Sequence, residues 1–372
     1  MNDSRATSGM ISSFQLGAVV ASSIVGIGVL TLPRLAARAV ESGAPLLVFA
    51  GMTCGMLFLA ALAYLMSRHP GQSLFRFSEQ LIGKGAARVL NGLLILYFLF
   101  VSGMTARQFG EAVVQVLLQK TPIEIVVSFL ILLAGLSCRR DRLKFVFVHQ
   151  FYLPFILLPG IVVVAVSMQN AEMANLLPVL GNRSFDWGGE LIQIAAASQI
   201  AFVIVLLGPI LRRPRRAVAA TALGAVLVTL LYTAIVVATI AVFGAEEVKL
   251  LTYPTLETAR SASLGSGQRL DALFLIVWVI SIFTSVYSTY YFCAYGTREL
   301  LGLRDQRMIA TFGMPFVYAA ALLPANIFEL YRWSERLNLY GAILFAGYPA
   351  LLLLLSLIRR SGRRTEEAEG HA

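Results

Sequence analysis

The chain has 372 residues, 58% of them hydrophobic and only 13% charged, with a mean hydropathy of +0.77. Soluble domains run roughly 45–50% apolar and about 25% charged, so an ordinary soluble enzyme, a disordered chain and a disulfide scaffold are excluded. A net charge of +10 would fit nucleic acid by sign alone, but the charges are placed as membrane topology places them and no nucleic-acid partner is expected.

A membrane-crossing helix needs about 20 mostly apolar residues. Ten stretches lack Asp, Glu, Lys and Arg: 6–33, 42–67, 89–106, 125–138, 145–171, 191–211, 217–245, 272–297, 308–328 and 337–358. They predict an all-α integral membrane protein with ten transmembrane helices in one domain, residues 1–358. Residues 359–372 read as a charged, disordered cytoplasmic tail. The first stretch lacks the short apolar core and cleavage site of a signal peptide, so it reads as a retained span.

That first stretch contains Ser22-Ser23-Ile24-Val25-Gly26-Ile27-Gly28-Val29-Leu30-Thr31-Leu32-Pro33. Two glycines flank one residue at mid-membrane depth. Glycine is a poor helix residue, and an unwound backbone here would free N–H and C=O groups to hold a small polar ligand. Close helix packing through small residues is the other reading. In the third stretch Tyr97 and Val101 share a helix face, with Ser102 beside them. The fourth is short, and Thr121-Pro122-Ile123-Glu124 predicts a capping box and a helix start near Pro122. In the fifth, Pro154 and Pro159 predict kinks, and His149 reads as a packed or interfacial histidine.

The sixth stretch is the counterpart of the first if the chain is a five-plus-five repeat. Ser198 and Gln199 are polar at membrane depth, Phe202 follows, and Gly208-Pro209 precedes the arginines. Interrupted segments in corresponding positions of two halves mark transporter binding sites. The eighth stretch carries Ser281, Thr284, Ser285 and Ser288 at i, i+3, i+4 and i+7. That polar stripe turns inward, either to bond its own helix and neighbours or to wall a ligand site. In the ninth, Pro315 and Pro324 predict kinks.

Lys and Arg set the orientation. With the N-terminus in the cytoplasm, inside segments hold 20 of the 30 basic residues and outside segments 10. Both termini are therefore expected inside. Cys54, Cys138 and Cys293 have neither metal-ligand nor disulfide spacing and read as small hydrophobes. The residues show no phosphate loop, zinc spacing or nucleophile–base pair, so neither an enzyme nor a cofactor is expected. No acidic or basic residue sits near the middle of a span, which weakens a proton-driven pump.

Val25-Gly26-Ile27-Gly28-Val29-Leu30-Thr31-Leu32-Pro33-Arg34 resembles the first-helix signature of the spore germination permeases, the B subunits of bacterial nutrient germinant receptors in the amino acid–polyamine–organocation superfamily. Asn175-Leu176-Leu177-Pro178, Tyr253-Pro254-Thr255-Leu256 through Arg260, and Arg269-Leu270-Asp271-Ala272-Leu273-Phe274 through Trp278 extend the resemblance in order. The resemblance implies a LeuT-like fold of two inverted five-helix repeats, about 10–168 and 187–358, with helices one and six broken. It implies an amino-acid-like ligand mid-membrane, an A subunit and a lipoprotein C subunit as partners, and the spore inner membrane as location. The expected ligand site is Val25, Gly26, Ile27, Gly28, Tyr97, Val101, Ser198, Gln199, Phe202, Thr284, Ser285 and Ser288. A ligand carboxylate would meet N–H groups around Gly26 and Gly28, and its ammonium carbonyls near Ser198 or the hydroxyls of Thr284 and Ser285. An active amino-acid symporter is the alternative.

Overall fold

The computed structural model describes residues 9–181, 187–262 and 270–369. Arg269 and the 263–269 part of the outer loop lie outside the described residues. Among the described residues the chain is helical, with a single bridge between Ile11 and Leu211 and no strand. The helices are α1 (Ser13–Ile24), α2 (Gly28–Val40), α3 (Ala44–Arg68), α4 (Leu74–Ile82), α5 (Lys84–Val116), α6 (Ile123–Ser137) and α7 (Arg142–Ser167). After them come α8 (Trp187–Ala195), a 3-10 segment (Ala196–Leu206), α9 (Ala217–Leu250), α10 (Pro254–Ser261) and α11 (Leu270–Leu301). The chain closes with α12 (Arg307–Phe312), α13 (Met314–Leu322) and α14 (Ile327–Glu369).

Each of the ten apolar stretches forms a helix or a pair of helices. Seven helical runs are long and apolar enough to cross a membrane, against the ten expected; Ser13–Ile24, Ile123–Ser137 and Arg307–Leu322 are apolar but shorter. The shortfall has local causes. The first stretch is divided at its glycines, and the ninth divides at Gly313. The fourth is 15 residues long, about 22 Å at 1.5 Å per residue, which is short of a hydrocarbon core of about 30 Å.

Two other expectations are corrected. The helix near Pro122 starts in place, but Pro122 is itself the N-cap and no side chain caps it. That puts Glu124 one position too early for the reciprocal bond of a capping box. The tail expected to be disordered continues α14 to Glu369; its Arg, Glu and Ala residues are strong helix formers.

Helix α1 lies at the centre. It starts at a reciprocal cap, in which Gln15 N–H donates to Ser12 Oγ at 3.2 Å and Ser12 N–H donates to Gln15 Oε1 at 2.8 Å. Every residue from Leu16 to Ile24 is buried. A helix apolar on all sides belongs in a core, and α1 packs against α9, α7, α11 and the 3-10 segment. The approach to α9 is close: a Cβ at Gly17 would lie 2.9 Å from the Ala220 carbonyl oxygen. Elsewhere α3 packs on α9, α5 on α11 and α6 on α13. The outer faces carry exposed Phe129, Phe151, Ile161 and Ile343, the apolar surface a lipid environment requires.

Two of the motif segments tie connecting loops to this core. Helix α9 bends at Gly244, φ 72°, which frees the Ala241 carbonyl. Glu172 N–H (2.9 Å) and Asn175 Nδ2 (3.0 Å) both donate to that oxygen. In the second segment, Thr255 Oγ1 donates to Val29 O at 2.6 Å, linking α10 to the first turn of α2.

Candidate functional site

The helix break lies at Val25–Ile27, between α1 and α2. A helix end leaves its last carbonyls and the next helix leaves its first N–H groups without intrahelical partners. The carbonyls are satisfied by hydroxyls from neighbouring helices. Thr284 Oγ1 lies 2.8 Å from Ser22 O, and Ser285 Oγ lies 2.8 Å from Ser23 O and 3.2 Å from Val25 O. Tyr232 O–H donates to Ile24 O at 3.1 Å. The glycine is sterically required here: a Cβ on Gly26 would fall on Ser285 Oγ and lie 3.1 Å from Ser285 Cβ.

The inward polar stripe is therefore a clamp on the broken helix. Ser288 Oγ extends it to His149, 3.2 Å from Nε2, while Ser22 Oγ lies 2.5 Å from Nδ1 on the other side of the ring. His149 is fully buried and stacks parallel to Tyr287. It is the packed histidine of the two readings. Removing one clamp hydroxyl leaves a buried carbonyl without its donor. Ser285→Ala is expected to cost about 1–3 kcal/mol, measured as a lower melting midpoint of the detergent-solubilised protein.

The N–H end is different. The Gly26 N–H meets the Tyr232 oxygen. Val29 and Leu30 N–H bond back to Gly26 and Ile27 carbonyls. Among the described residues, the N–H groups of Ile27 and Gly28 have no hydrogen-bond partner. Both residues line a cavity of about 520 Å³, within the size range of small-molecule sites. A helix N-terminus with open N–H groups favours an anionic group.

The cavity runs from Gly28 outward to surface residues Arg38, Phe328 and Glu335. Val101, Gln199, Tyr232 and Asn338 line it as well. At its inner end Tyr97 O–H donates to Gln199 Oε1, and Gln199 Nε2 donates to Asn338 Oδ1 at 3.3 Å. These three meet because α14 presents Gly341 there, where a Cβ would overlap Tyr97 Oη and Gln199 Oε1. Phe98, Phe202, Phe292 and Phe345 pack into a ring cluster with neighbouring centroids 4.6–6.1 Å apart.

Of the residues expected at the site, Ile27, Gly28, Val101 and Gln199 line the cavity, and Tyr97 supports its inner end through Gln199. Gly26, Thr284 and Ser285 form the break and its clamp, and Ser288 holds His149. Phe202 lies in the aromatic cluster. Ser198 faces Gly55 of α3, where a Cβ would lie 2.9 Å from Ser198 Cβ. Val25 faces a separate void of about 10 Å³, room for one water at most. The sixth stretch changes from α-helix to eleven residues of 3-10 helix rather than unwinding; so long a 3-10 run marks a hinge or strain.

Sequence reasoning missed Tyr232, Tyr253, Gln193 and Asn338 as cavity residues. Asn338 had a signal: Ser334, Asn338 and Gly341 fall at i, i+4 and i+7, on one face of the helix that runs into the tenth stretch. Tyr232 had none, because a lone tyrosine in an apolar helix does not reveal which carbonyl it faces.

Residues 10–329 match the family model described as "Spore germination protein". Similar curated proteins include Spore germination protein YndE of Bacillus subtilis (strain 168), 23% identical over 95% of this chain and 98% of the relative. Spore germination protein A2 of the same strain is 26% identical over 94% of this chain and 96% of the relative. Spore germination protein GerLB of Bacillus cereus is 24% identical over 94% and 95%. Among solved structures, Mhp1, a nucleobase-cation-symport-1 family transporter in a closed conformation with bromovinylhydantoin bound, is similar at a TM-score of 0.70 and 13% identity, over 92% of this chain and 79% of that one. A Na⁺-coupled sialic acid symporter in a substrate-bound outward-open state gives 0.71 at 10% identity, over 93% and 79%. These likenesses give the chain a transporter-like membrane fold.

Proposed function

Since this chain belongs to the spore germination protein family, we propose that it is the membrane-embedded subunit of a nutrient receptor, with a small amino-acid-like ligand held beside its broken first helix. The observation that carries the reading is the pair of open N–H groups at Ile27 and Gly28, two residues that line a cavity of about 520 Å³. The ligand carboxylate sits on these N–H groups, where the α2 dipole favours negative charge. Its side chain lies along Val101, and its ammonium lies outward.

The chain is read as ten transmembrane helices in two inverted halves, with both termini cytoplasmic, in the spore inner membrane. The packing pairs support the two halves: first stretch with sixth, second with seventh, third with eighth and fourth with ninth. Helices related by a central two-fold axis meet in this way. A ligand shifts the protein only by its differential affinity for two arrangements. The clamp on α1 supplies the element to be shifted, since α1 is tied to α11 and α9 by side-chain hydroxyls rather than by continuous helix. The signal passes to an A subunit and a lipoprotein C subunit.

The test is germination of spores of the source organism from which this chain has been deleted. Loss of refractility after addition of single amino acids is expected to fail for at least one nutrient and return on complementation. Germination unchanged across amino acids and sugars would overturn the receptor reading. The symporter structures similar to this fold support a second reading, an amino-acid/cation symporter. Amino-acid accumulation in vesicles under a sodium or proton gradient would favour it; binding without accumulation favours the receptor.

A further inference from the structure

The hydrogen-bond chain at the inner end of the cavity has a direction, and the direction is set by one proton. Tyr97 is 7% exposed, and its hydroxyl has one partner among the described residues, Gln199. A buried phenol whose proton finds no acceptor is costly, so Gln199 must offer its carbonyl oxygen to Tyr97. Its amide nitrogen is then turned to Asn338 and donates to Oδ1 at 3.3 Å. Asn338 has its own oxygen engaged, which leaves Nδ2 as the free end of the chain. Among the described residues Nδ2 has no partner, and Asn338 and Gln199 both line the cavity. Reversing Gln199 would strand the Tyr97 proton, and reversing Asn338 would set its Nδ2 donor against the Gln199 Nε2 donor.

Further donors line the cavity, whose wall also carries Glu111, Glu190 and Glu335. The open N–H groups of Ile27 and Gly28 are donors. Farther out, Arg34 lines the cavity with its Nε unpartnered and no ion pair among the described residues. Among the buried side-chain atoms of the wall the unpartnered acceptor is Gln193 Oε1, on α8, and the exposed Glu335 carboxylate lies at the outer end of the cavity.

We infer that Asn338, held in orientation through Gln199 by Tyr97, is a specificity-determining residue that makes the inner end of the cavity a donor face. This face selects ligands that present a carboxylate and rejects amines that lack one. The inference rests on the reading of the cavity as the ligand site. Asn338 touches the ligand; Tyr97 is a positioning residue acting through two amides.

The experiment is equilibrium binding to the full chain in lipid vesicles. The probes are neutral L-amino acids from alanine to phenylalanine, each paired with the primary amine left when its carboxylate is removed. Wild type is expected to bind at least one amino acid about tenfold or more tighter than its amine. In Tyr97→Phe the lock is gone and both amides can reverse, so this ratio falls toward one. In Asn338→Asp, of nearly the same shape, the donor becomes an anion and the ratio inverts in favour of the amine. The ratio is internal to each variant, so partial loss of folded protein does not move it. Ratios unchanged from wild type in both variants would overturn the inference while leaving the ligand site standing. Saturable binding of no probe by wild type would instead remove the ligand-site reading on which it rests.

Discussion

Gly26→Trp is expected to abolish ligand binding and nutrient response, and Gly26→Ala to weaken binding at least tenfold. The reason is contact rather than backbone freedom. A Cβ at Gly26 meets Ser285 Oγ first and Ser285 Cβ at 3.1 Å second. Ser285 is the residue whose one hydroxyl proton lies within reach of the Ser23 carbonyl at 2.8 Å and the Val25 carbonyl at 3.2 Å. Any side chain at Gly26 must therefore push α11 away from the break and undo the clamp on the end of α1. The contact also predicts rescue. Removing Oγ in Gly26→Ala/Ser285→Ala leaves only the contact of about 3.1 Å, which small shifts absorb. The double variant is expected to bind better than Gly26→Ala alone, with a coupling of about 1 kcal/mol or more in a double-mutant cycle. Strict additivity in ligand affinity would show that the break and the stripe act independently.

Gly341→Leu is expected to lower ligand affinity at least a hundredfold. At this position a Cβ overlaps both Tyr97 Oη and Gln199 Oε1 and lies 2.7 Å from Tyr97 Cζ. A leucine must displace both side chains and occupy the inner end of the cavity. The matched control is Gly347→Leu on the same helix, where a Cβ would meet nothing within 4 Å. That variant is expected to bind as wild type does. Equal affinity of the two variants, measured by the same equilibrium binding assay, would place the ligand elsewhere.

Much of this architecture was legible from one sequence because bilayer physics leaves few alternatives. Charge-free stretches had to become helices, since lipid offers no partner for exposed backbone groups. The break at Gly26-Ile27-Gly28 was implied by the family resemblance; the two glycines alone left close helix packing as the other reading. The Ser281–Ser288 stripe was correctly turned inward, but its partners were not legible. Which carbonyls a hydroxyl reaches depends on the rotation of α11 about its axis, and periodicity fixes a face without fixing its neighbour. Thr284 and Ser285 thus bond the broken helix, one of the two uses the stripe left open. The 3-10 course of Ala196–Leu206 was also hidden. Its residues are ordinary helix-compatible apolar types, and tertiary packing selects the tighter helix. Asn338 and Tyr232 come from helices that pack onto the site from far away in sequence, so only the assembled fold joins them to it.

The central claim, that the cavity beside the broken first helix holds a small amino-acid-like ligand, is tested most directly by radiolabelled L-amino acid binding to the purified full chain in lipid vesicles. The account predicts saturable binding of at least one neutral amino acid, displaced by the unlabelled compound, retained in Gly347→Leu and lost in Gly341→Leu. Binding that survives Gly341→Leu undiminished, or no saturable binding across the full amino-acid panel, would contradict it.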